Sequence, residues 1–234
     1  MITVIMPYRD REEHLNLFIK EGWSNINHII PKSRLVIVEQ SNGLQFNRGL
    51  LLNIGFKEYI NNSDWFITHD VDLLPSKKII DKYYNKLDTE IVRVFNSHLS
   101  SLGGICKLRK NVVKNINGFP NYIWGWGIED RALYHRAIHK KIEISKWFGG
   151  SLKNDFKFLN HKSNRLKKYE GEKLKISNYI NDIANDQNKM EEEIKSSGIT
   201  SLKYSLIQKI DLIDNISILK VDFDQKDHIL KYIV

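Results

Sequence analysis

Trp65-Phe66-Ile67-Thr68-His69-Asp70-Val71-Asp72-Leu73-Leu74-Pro75 is the stretch on which the reading of the fold turns. Three apolar residues and a β-branched threonine run through His69 into a pair of acids, Asp70 and Asp72. A short apolar run closed by polar residues is the pattern of a strand buried on both faces. Nearer the N-terminus, Ile2–Met6 ends at Pro7 in the same way. Leu35–Val38 ends at the polar turn Glu39-Gln40-Ser41-Asn42-Gly43. Between these strands, Glu12–Trp23 sets Leu15, Phe18, Ile19 and Trp23 at helical spacing. Arg48–Tyr59 does the same with Leu51, Leu52, Ile54, Phe56 and Tyr59. Strand, helix, strand, helix, strand within about 70 residues predicts an α/β fold with a mainly parallel twisted sheet flanked by helices. Ligands of such sheets gather at the carboxyl ends of the strands.

Downstream, Ile91–Phe95 and Gly104–Leu108 read as strands and Glu129–His139 as a helix. Residues 162–198 are rich in Lys, Asn and Glu, the least core-like part of the chain, with a surface helix expected over Ile183–Lys195. Ser205–Ile210 and Ile216–Val221 read as a β-hairpin, spanning about 205–222. No repeat or linker divides the chain, so residues 1–234 are expected to form a single domain.

Composition narrows the class. Hydrophobic residues make up 41% and charged residues 27%, ordinary for a globular chain and too apolar for a disordered one. The apolar run at the N-terminus is far short of the roughly 20 residues that span a bilayer. The single cysteine, Cys106, excludes an internal disulfide and reads as a small buried hydrophobe; a cytoplasmic location is the expectation. The formal net charge is +8, with local density at Lys140, Lys141 and at Arg165, Lys167, Lys168. No nucleic-acid-binding motif accompanies these residues, so the reading is a solvated surface with no nucleic acid and at most peripheral membrane contact. A basic nucleic-acid-binding protein is the contrasting class, and steep salt dependence would mark it.

Two features carry chemistry. In an extended segment Asp70 and Asp72 project to one side and offer two hard oxygen donors, suited to Mg²⁺ or Mn²⁺ on a diphosphate. The second is Gly118-Phe119-Pro120-Asn121-Tyr122-Ile123-Trp124-Gly125-Trp126-Gly127-Ile128-Glu129-Asp130. Tryptophans interleaved with glycines form neither helix nor strand well, and the segment can bend. Trp126 offers a flat apolar face to a sugar ring, and Glu129-Asp130 stands at a helix N-terminus, where negative charge is favoured. The plainer reading makes both tryptophans core anchors and the two acids helix caps.

With these residues the chain resembles the β1,4-galactosyltransferase family, inverting enzymes of the GT-A (nucleotide-diphospho-sugar transferase) fold. The matching motifs begin with Pro7-Tyr8-Arg9-Asp10-Arg11-Glu12-Glu13-His14-Leu15 and Phe46-Asn47-Arg48, followed by Leu51-Leu52-Asn53-Ile54-Gly55-Phe56. They continue through Asp70–Pro75, Gly103-Gly104, Asn117-Gly118-Phe119-Pro120, Trp124–Asp130, His161 and Gly198-Ile199-Thr200-Ser201-Leu202-Lys203-Tyr204. An ordered series over residues 2–222 is more specific than any one of its motifs.

The resemblance implies a set of roles. Pro7, Tyr8, Arg9 and Arg11 would lie along the nucleotide, with Arg9 or Arg11 facing the diphosphate, and Phe46 and Arg48 would hold the uracil and ribose end. Asp70 would bond the donor, while Asp72 and His161 would ligate Mn²⁺. Asp130 would be the catalytic base, Glu129 would grip the acceptor, and Trp126 would close over bound donor, with Gly104 beside the sugars. The implied partners are UDP-Gal as donor and a glycan acceptor, lipid-linked or free. Unlike the family's Golgi members the chain lacks the cysteines to make their disulfides, so the expected role is surface glycan or polysaccharide synthesis at the inner face of the membrane. The contrasting reading, a catalytically inactive sugar-binding module, sits poorly with Asp72, Asp130 and His161 all being present.

Two positions depart from the family pattern. Phe158 stands where the family has a methionine ligand, three residues before His161, so weaker or broader metal use, including Mg²⁺ or Co²⁺, is expected. Ser101 stands where galactose-specific relatives carry tyrosine. The smaller side chain leaves room for an N-acetyl group, so UDP-GalNAc is a second candidate donor.

Overall fold

The computed structural model describes residues 1–85, 89–95, 98–125, 127–146, 154–160, 170–213 and 215–230. In chain order the elements begin with β1 (Ile2–Tyr8), α1 (Glu12–Leu17), a π-helical stretch Phe18–Trp23, α2 (Ser24–Ile29), β2 (Ser33–Gln40) and α3 (Arg48–Tyr59). Next come β3 (Trp65–Thr68), β4 (Leu73–Pro75), α4 (Lys77–Ile79) with a π-helical continuation Ile80–Asn85, β5 (Ile91–Phe95), β6 (Ile105–Arg109) and α5 (Lys110–Asn115). The rest are α6 (Glu129–His139), β7 (Phe156–Phe158), α7 (Glu170–Ala184), α8 (Gln187–Ser196), β8 (Ser205–Asp211) and β9 (Ile216–Asp222).

Seven strands form one sheet in the order β5-β6-β3-β1-β2-β9-β8. Its centre is parallel: β1 pairs with β2 from Ile2↔Ser33 to Tyr8↔Glu39, and with β3 from Ile2↔Trp65 to Ile5↔Thr68. β5, β6 and β8 run antiparallel to their neighbours. Every residue of β1 is buried, because alternate side chains serve different layers. Val4, Met6 and Tyr8 join Phe18, Trp23, Ile26, Ile80 and Tyr84 on one face. Ile5 joins Leu51, Ile54 and Phe56 of α3 and Leu133 and Ala137 of α6 on the other. At Gly55 a Cβ would stand 2.5 Å from Ile5 Cγ2, so this glycine sets how closely α3 lies on the sheet.

Three expectations are corrected in detail. The first helix does not end at Trp23 but passes through the π-helical stretch to Ile29. The strand expected from Gly104 starts one residue later, because Gly104 has φ +67°. Most consequentially, the polar stretch is not one surface helix over Ile183–Lys195: α7 and α8 are separate helices, broken where the Asp186 side chain accepts from Asn188 N and Lys189 N. Nor is it without a core. Ile180, Ile183, Met190 and Ile194 bury themselves against Tyr122, Ile123 and Ala132 as a third apolar cluster. The apolar residues are spaced along two amphipathic helices, so their low density hid them from composition.

The C-terminal hairpin forms as read, and β9 also pairs in parallel with β2, from Leu35↔Ile216 to Gln40↔Val221. A small second sheet joins β4 to β7 beneath the acidic loop, Leu73↔Phe158 to Pro75↔Phe156. Among the described residues no helix is long and apolar enough to cross a membrane.

Candidate active site

The central parallel strands end together, and the residues that follow them meet the first residues of α3 and α6. β3 delivers Asp70 and Asp72, α3 opens on Arg48, and α6 opens on Glu129 and Asp130. Arg48 is the hub. Its Nε donates to Asp70 Oδ1 at 2.8 Å, Nη1 donates to Asp130 Oδ1 at 2.8 Å, and Nη2 donates to the Gly104 carbonyl at 3.3 Å. Glu129 Oε1 lies 3.8 Å from the same Nη1. Burial works against the guanidinium's charge, but Asp70, Asp130 and Glu129 outweigh it and hold its pKa above the ordinary arginine value. All three nitrogens of Arg48 are thus engaged with acids and a carbonyl, whereas the family resemblance would have it holding the uridine end.

Asp130 presses onto the segment that carries Ser101 and Gly104. Leu102 N donates to the Asp130 carbonyl at 3.1 Å, and Gly103 N donates to Ser101 Oγ at 3.3 Å. A Cβ on Gly103 would collide with Asp130 Oδ2, so only glycine leaves room for the carboxylate. Burial raises the Asp130 pKa, Arg48 holds it partly back, and Asp70 adds to the rise. Glu129 goes further: burial, with Asp130 beside it, pushes its pKa up to about 8, and its Oε2 has no hydrogen-bond partner. Below these acids His69 is fully enclosed, its Nδ1 2.9 Å from the Asp70 carbonyl, and burial lowers its pKa to about 4, so the ring is neutral.

The raised Glu129 pKa has a stability consequence. The folded protein keeps a proton that the unfolded chain gives up near 4.5, so stability falls as pH rises from about 4.5 to about 8. Glu129→Gln removes this dependence. Its stability relative to the parent, measured by denaturant unfolding at pH 5, 6.5 and 8, is expected to climb with pH. A constant difference would mean that Glu129 is ionised throughout.

The residues expected to lie along a nucleotide form a second group. Arg9 Nη1 donates to the Leu44 carbonyl at 2.6 Å, and its guanidinium lies 5.5 Å from the centre of the Phe46 ring. Tyr8 is buried, and its hydroxyl accepts from Arg11 N at 3.3 Å, which ties the end of β1 at Pro7-Tyr8 to the turn before α1. Gln40 was not anticipated here. Its amide nitrogen donates to Asn42 Oδ1 and the Gln45 carbonyl, both at 2.9 Å, and its Oε1 accepts from Asn47 N at 3.0 Å. It therefore shapes the loop that presents Phe46. A buried glutamine closing a strand, just before a polar turn, was the signal available.

Asp72, read from the sequence as a metal ligand, lies just before β4, which pairs with β7. Leu159 N donates to the Asp72 carbonyl at 2.9 Å, so the chain leaving β7 toward residue 161 passes beside Asp72. His161 itself, like Trp126, lies outside the described residues. Phe158 packs against Phe95 with ring centres 5.4 Å apart and brings no donor atom. Among the described residues no three His, Cys, Asp or Glu side chains cluster closely enough to hold a metal ion. Asp72 supplies one hard oxygen donor, of the kind Mn²⁺ or Mg²⁺ prefers.

The Gly118–Ile128 segment is held from below by buried amides. Asn53 donates to the Phe119 carbonyl and Asn121 Oδ1 and accepts from Phe119 N, while Asn47 donates to the Asn121 carbonyl. Asn121 in turn donates to the Gly198 carbonyl, and Asn117 Oδ1 accepts from Thr200 N. Trp124 is an anchor: its Nε1 donates to the His228 carbonyl at 3.0 Å and its ring packs on Phe223. Beyond it Gly125, Gly127 and Ile128 take φ of +81°, +87° and +83°. A β-branched residue there is strained by about 1–3 kcal/mol, and Ile128 immediately precedes the two acids.

Comparison with known proteins places the chain in a family. Residues 1–84 match the N-terminal region of glycosyl transferase group 7, and residues 92–162 match a model described as the N-terminal domain of galactosyltransferase. The chain is 30% identical over 227 residues to xylosylprotein 4-β-galactosyltransferase of Caenorhabditis elegans, covering 91% of this chain and 73% of that protein. It is 35% identical over 164 residues to human β-1,4-galactosyltransferase 6, where the match covers 62% of this chain and 40% of that protein's length. Among solved structures, a mutant of Drosophila β1,4-galactosyltransferase 7 in complex with manganese, UDP-Gal and xylobiose superposes with a TM-score of 0.74 at 22% identity, over 95% of this chain and 94% of that one. The fold is that of the GT-A glycosyltransferases, and the chain belongs to the β1,4-galactosyltransferase family.

Proposed function

We propose that this protein is an inverting glycosyltransferase that moves galactose, or N-acetylgalactosamine, from its UDP donor to a hydroxyl of an acceptor sugar, forming a β1,4 linkage. The observation that carries the reading is the Asp130 carboxylate, one-quarter exposed and held by Arg48 beside Asp70 at the ends of the parallel strands. Family membership and the ligands of the Drosophila neighbour support the choice of chemistry.

Asp130 takes the proton of the acceptor hydroxyl as that oxygen attacks the anomeric carbon from the face opposite UDP. The bond to the β-phosphate oxygen breaks, UDP leaves with the electron pair, and one displacement inverts the configuration. Burial raises the pKa of Asp130, which makes it a stronger base toward that proton. Arg9 and Arg11 stand on the nucleotide side, where positive charge favours the departing diphosphate. Asp72, with His161, would hold Mn²⁺, which supplies charge neutralisation of the diphosphate. Ser101, beside Gly103 and Asp130, leaves room for an N-acetyl group on the donor sugar. A cytoplasmic site of action, at the inner face of the membrane on lipid-linked or free glycans during surface polysaccharide synthesis, fits the single cysteine and the net charge of +8.

UDP with Mn²⁺ at about 100 times its dissociation constant stabilises by about 2.7 kcal/mol. For a chain of this size that raises Tm by roughly 5–10 °C. A flat melting temperature, together with no sugar transfer to any acceptor, sinks the proposal. The same transfer assay, run with UDP-Gal and UDP-GalNAc and with Mn²⁺, Mg²⁺ or Co²⁺, sets donor and metal preference. Ser101→Tyr is expected to lower the ratio of GalNAc to Gal transfer, and an unchanged ratio removes UDP-GalNAc from consideration.

A further inference from the structure

Asp130 accepts from one guanidinium nitrogen while its second oxygen lies over a glycine that has no side chain to contest the space. Arg48 is the first residue of α3, and the helix start is fixed by the Asn47 side chain, which accepts from Leu50 N at 2.9 Å and donates to the Asn121 carbonyl at 2.7 Å. The Arg48 side chain is only 11% exposed, so it has little freedom to swing away. Its Nε, Nη1 and Nη2 each have a different partner on a different part of the fold: the loop after β3, α6, and the segment before β6. A lysine could not make this three-way contact, because its charge is a point and not a planar fork.

We infer that Arg48 is a positioning residue for Asp130: it occupies Oδ1 and leaves Oδ2, on the Gly103 side, as the oxygen that receives the acceptor proton. The inference rests on the transfer reaction proposed above and adds to it a division of labour between the two oxygens of the base. It also makes Arg48 the counter-charge of the site. Among the described residues, the ionisable groups facing Asp130 are Arg48 from α3, Asp70 from the loop after β3, its neighbour Glu129 on α6, and the buried Cys106 thiol of β6. Of these only Arg48 is positive. Without it three carboxylates share an enclosed space, and each ionises less readily.

Two variants separate position from charge. Arg48→Met removes both, and Arg48→Lys keeps the charge while losing the fork. In Arg48→Met the ¹³C carboxyl resonance of Asp130, assigned by its disappearance in Asp130→Asn, is expected to titrate about one or more pH units higher than in the parent, since a neighbouring cation lowers a carboxyl pKa by about 1–3 units. The acid limb of the kcat profile moves up with it. In Arg48→Lys the titration stays near that of the parent, yet plateau kcat falls on the order of 10²-fold, the cost of a misplaced catalytic group. The Tm rise given by UDP and Mn²⁺ is retained in both.

An Asp130 titration unmoved in Arg48→Met overturns the inference. So does a loss of kcat matched by an equal loss of UDP binding, which would make Arg48 a donor ligand alone. If Arg48→Met does not fold, as judged by circular dichroism, Arg48→Lys decides the matter through its plateau kcat and UDP response. A parent protein that transfers no sugar refutes the proposed function, while the carboxyl titration still decides whether Arg48 governs Asp130.

Discussion

Asp130→Asn is expected to lower kcat by about 10²–10⁴-fold, the range over which a positioned general base contributes. The substitution is close to isosteric. An asparagine carbonyl can accept from Arg48 Nη1 where Asp130 Oδ1 now does at 2.8 Å, and Gly103 still leaves the space beyond it. What is lost is the capacity to take a proton. Of the residues proposed to hold the nucleotide, Arg9 is tied to the Asn42–Leu44 turn and packs on Phe46, away from Asp130, so stabilisation by UDP and Mn²⁺ should survive intact. The check is steady-state transfer alongside thermal unfolding with and without UDP. A variant that turns over at the parent rate would show that another group accepts the proton.

The largest stability effect is expected at Arg136, far from any substrate. Its side chain is fully enclosed, with Nε and Nη2 donating to Glu193 at 3.0 and 2.7 Å. Nη1 donates to the carbonyls of Ile116 and Gly118, and Nη2 also to that of Ser197. Arg136→Met leaves Glu193 buried without its counter-charge, and breaking a pair of this kind costs about 3–5 kcal/mol. At about 2–4 °C per kcal/mol, Tm drops by roughly 6–20 °C. Adding Glu193→Leu should recover part of the loss, since it removes the unpaired buried charge while leaving the Tyr122 hydroxyl without its acceptor. Additive losses in the double variant would show that the backbone carbonyls, not the ion pair, hold the stability. Activity should suffer in the single variant even below its Tm, because those carbonyls belong to the turn that leads into the strained Ile128 and the two acids.

The central strands and α3 were legible because their burial is uniform or strictly periodic. Trp65–Thr68, Ile91–Phe95, Arg48–Tyr59 and Glu129–His139 have the predicted bounds. α7 and α8 were not, because a cluster of only a few well-spaced apolar residues is diluted by lysines and glutamates that face solvent. In the site, Asp70, Glu129, Asp130, Ser101 and Gly104 were named in advance, and the structure brings them together around Arg48. The hub role of Arg48 could not be read from the sequence, since it depends on where the end of β3, the starts of α3 and α6 and the segment before β6 converge. Asn53 left a fainter trace, a lone amide on the inward face of an apolar helix, which marks a buried hydrogen-bonding duty.

β9 lies directly on β2, joining Leu35 to Ile216 across some 180 residues of chain, with β8 as the outer border. During synthesis the open side of β2 therefore keeps unmet amides and carbonyls until β9 has left the ribosome. Distant pairings of this kind fold slowly, and an unpaired strand invites association with other chains. A nascent or prematurely stopped chain ending before residue 205 would carry the site's carboxylates and yet be a client for chaperones, its sheet completed only when the β8–β9 hairpin arrives.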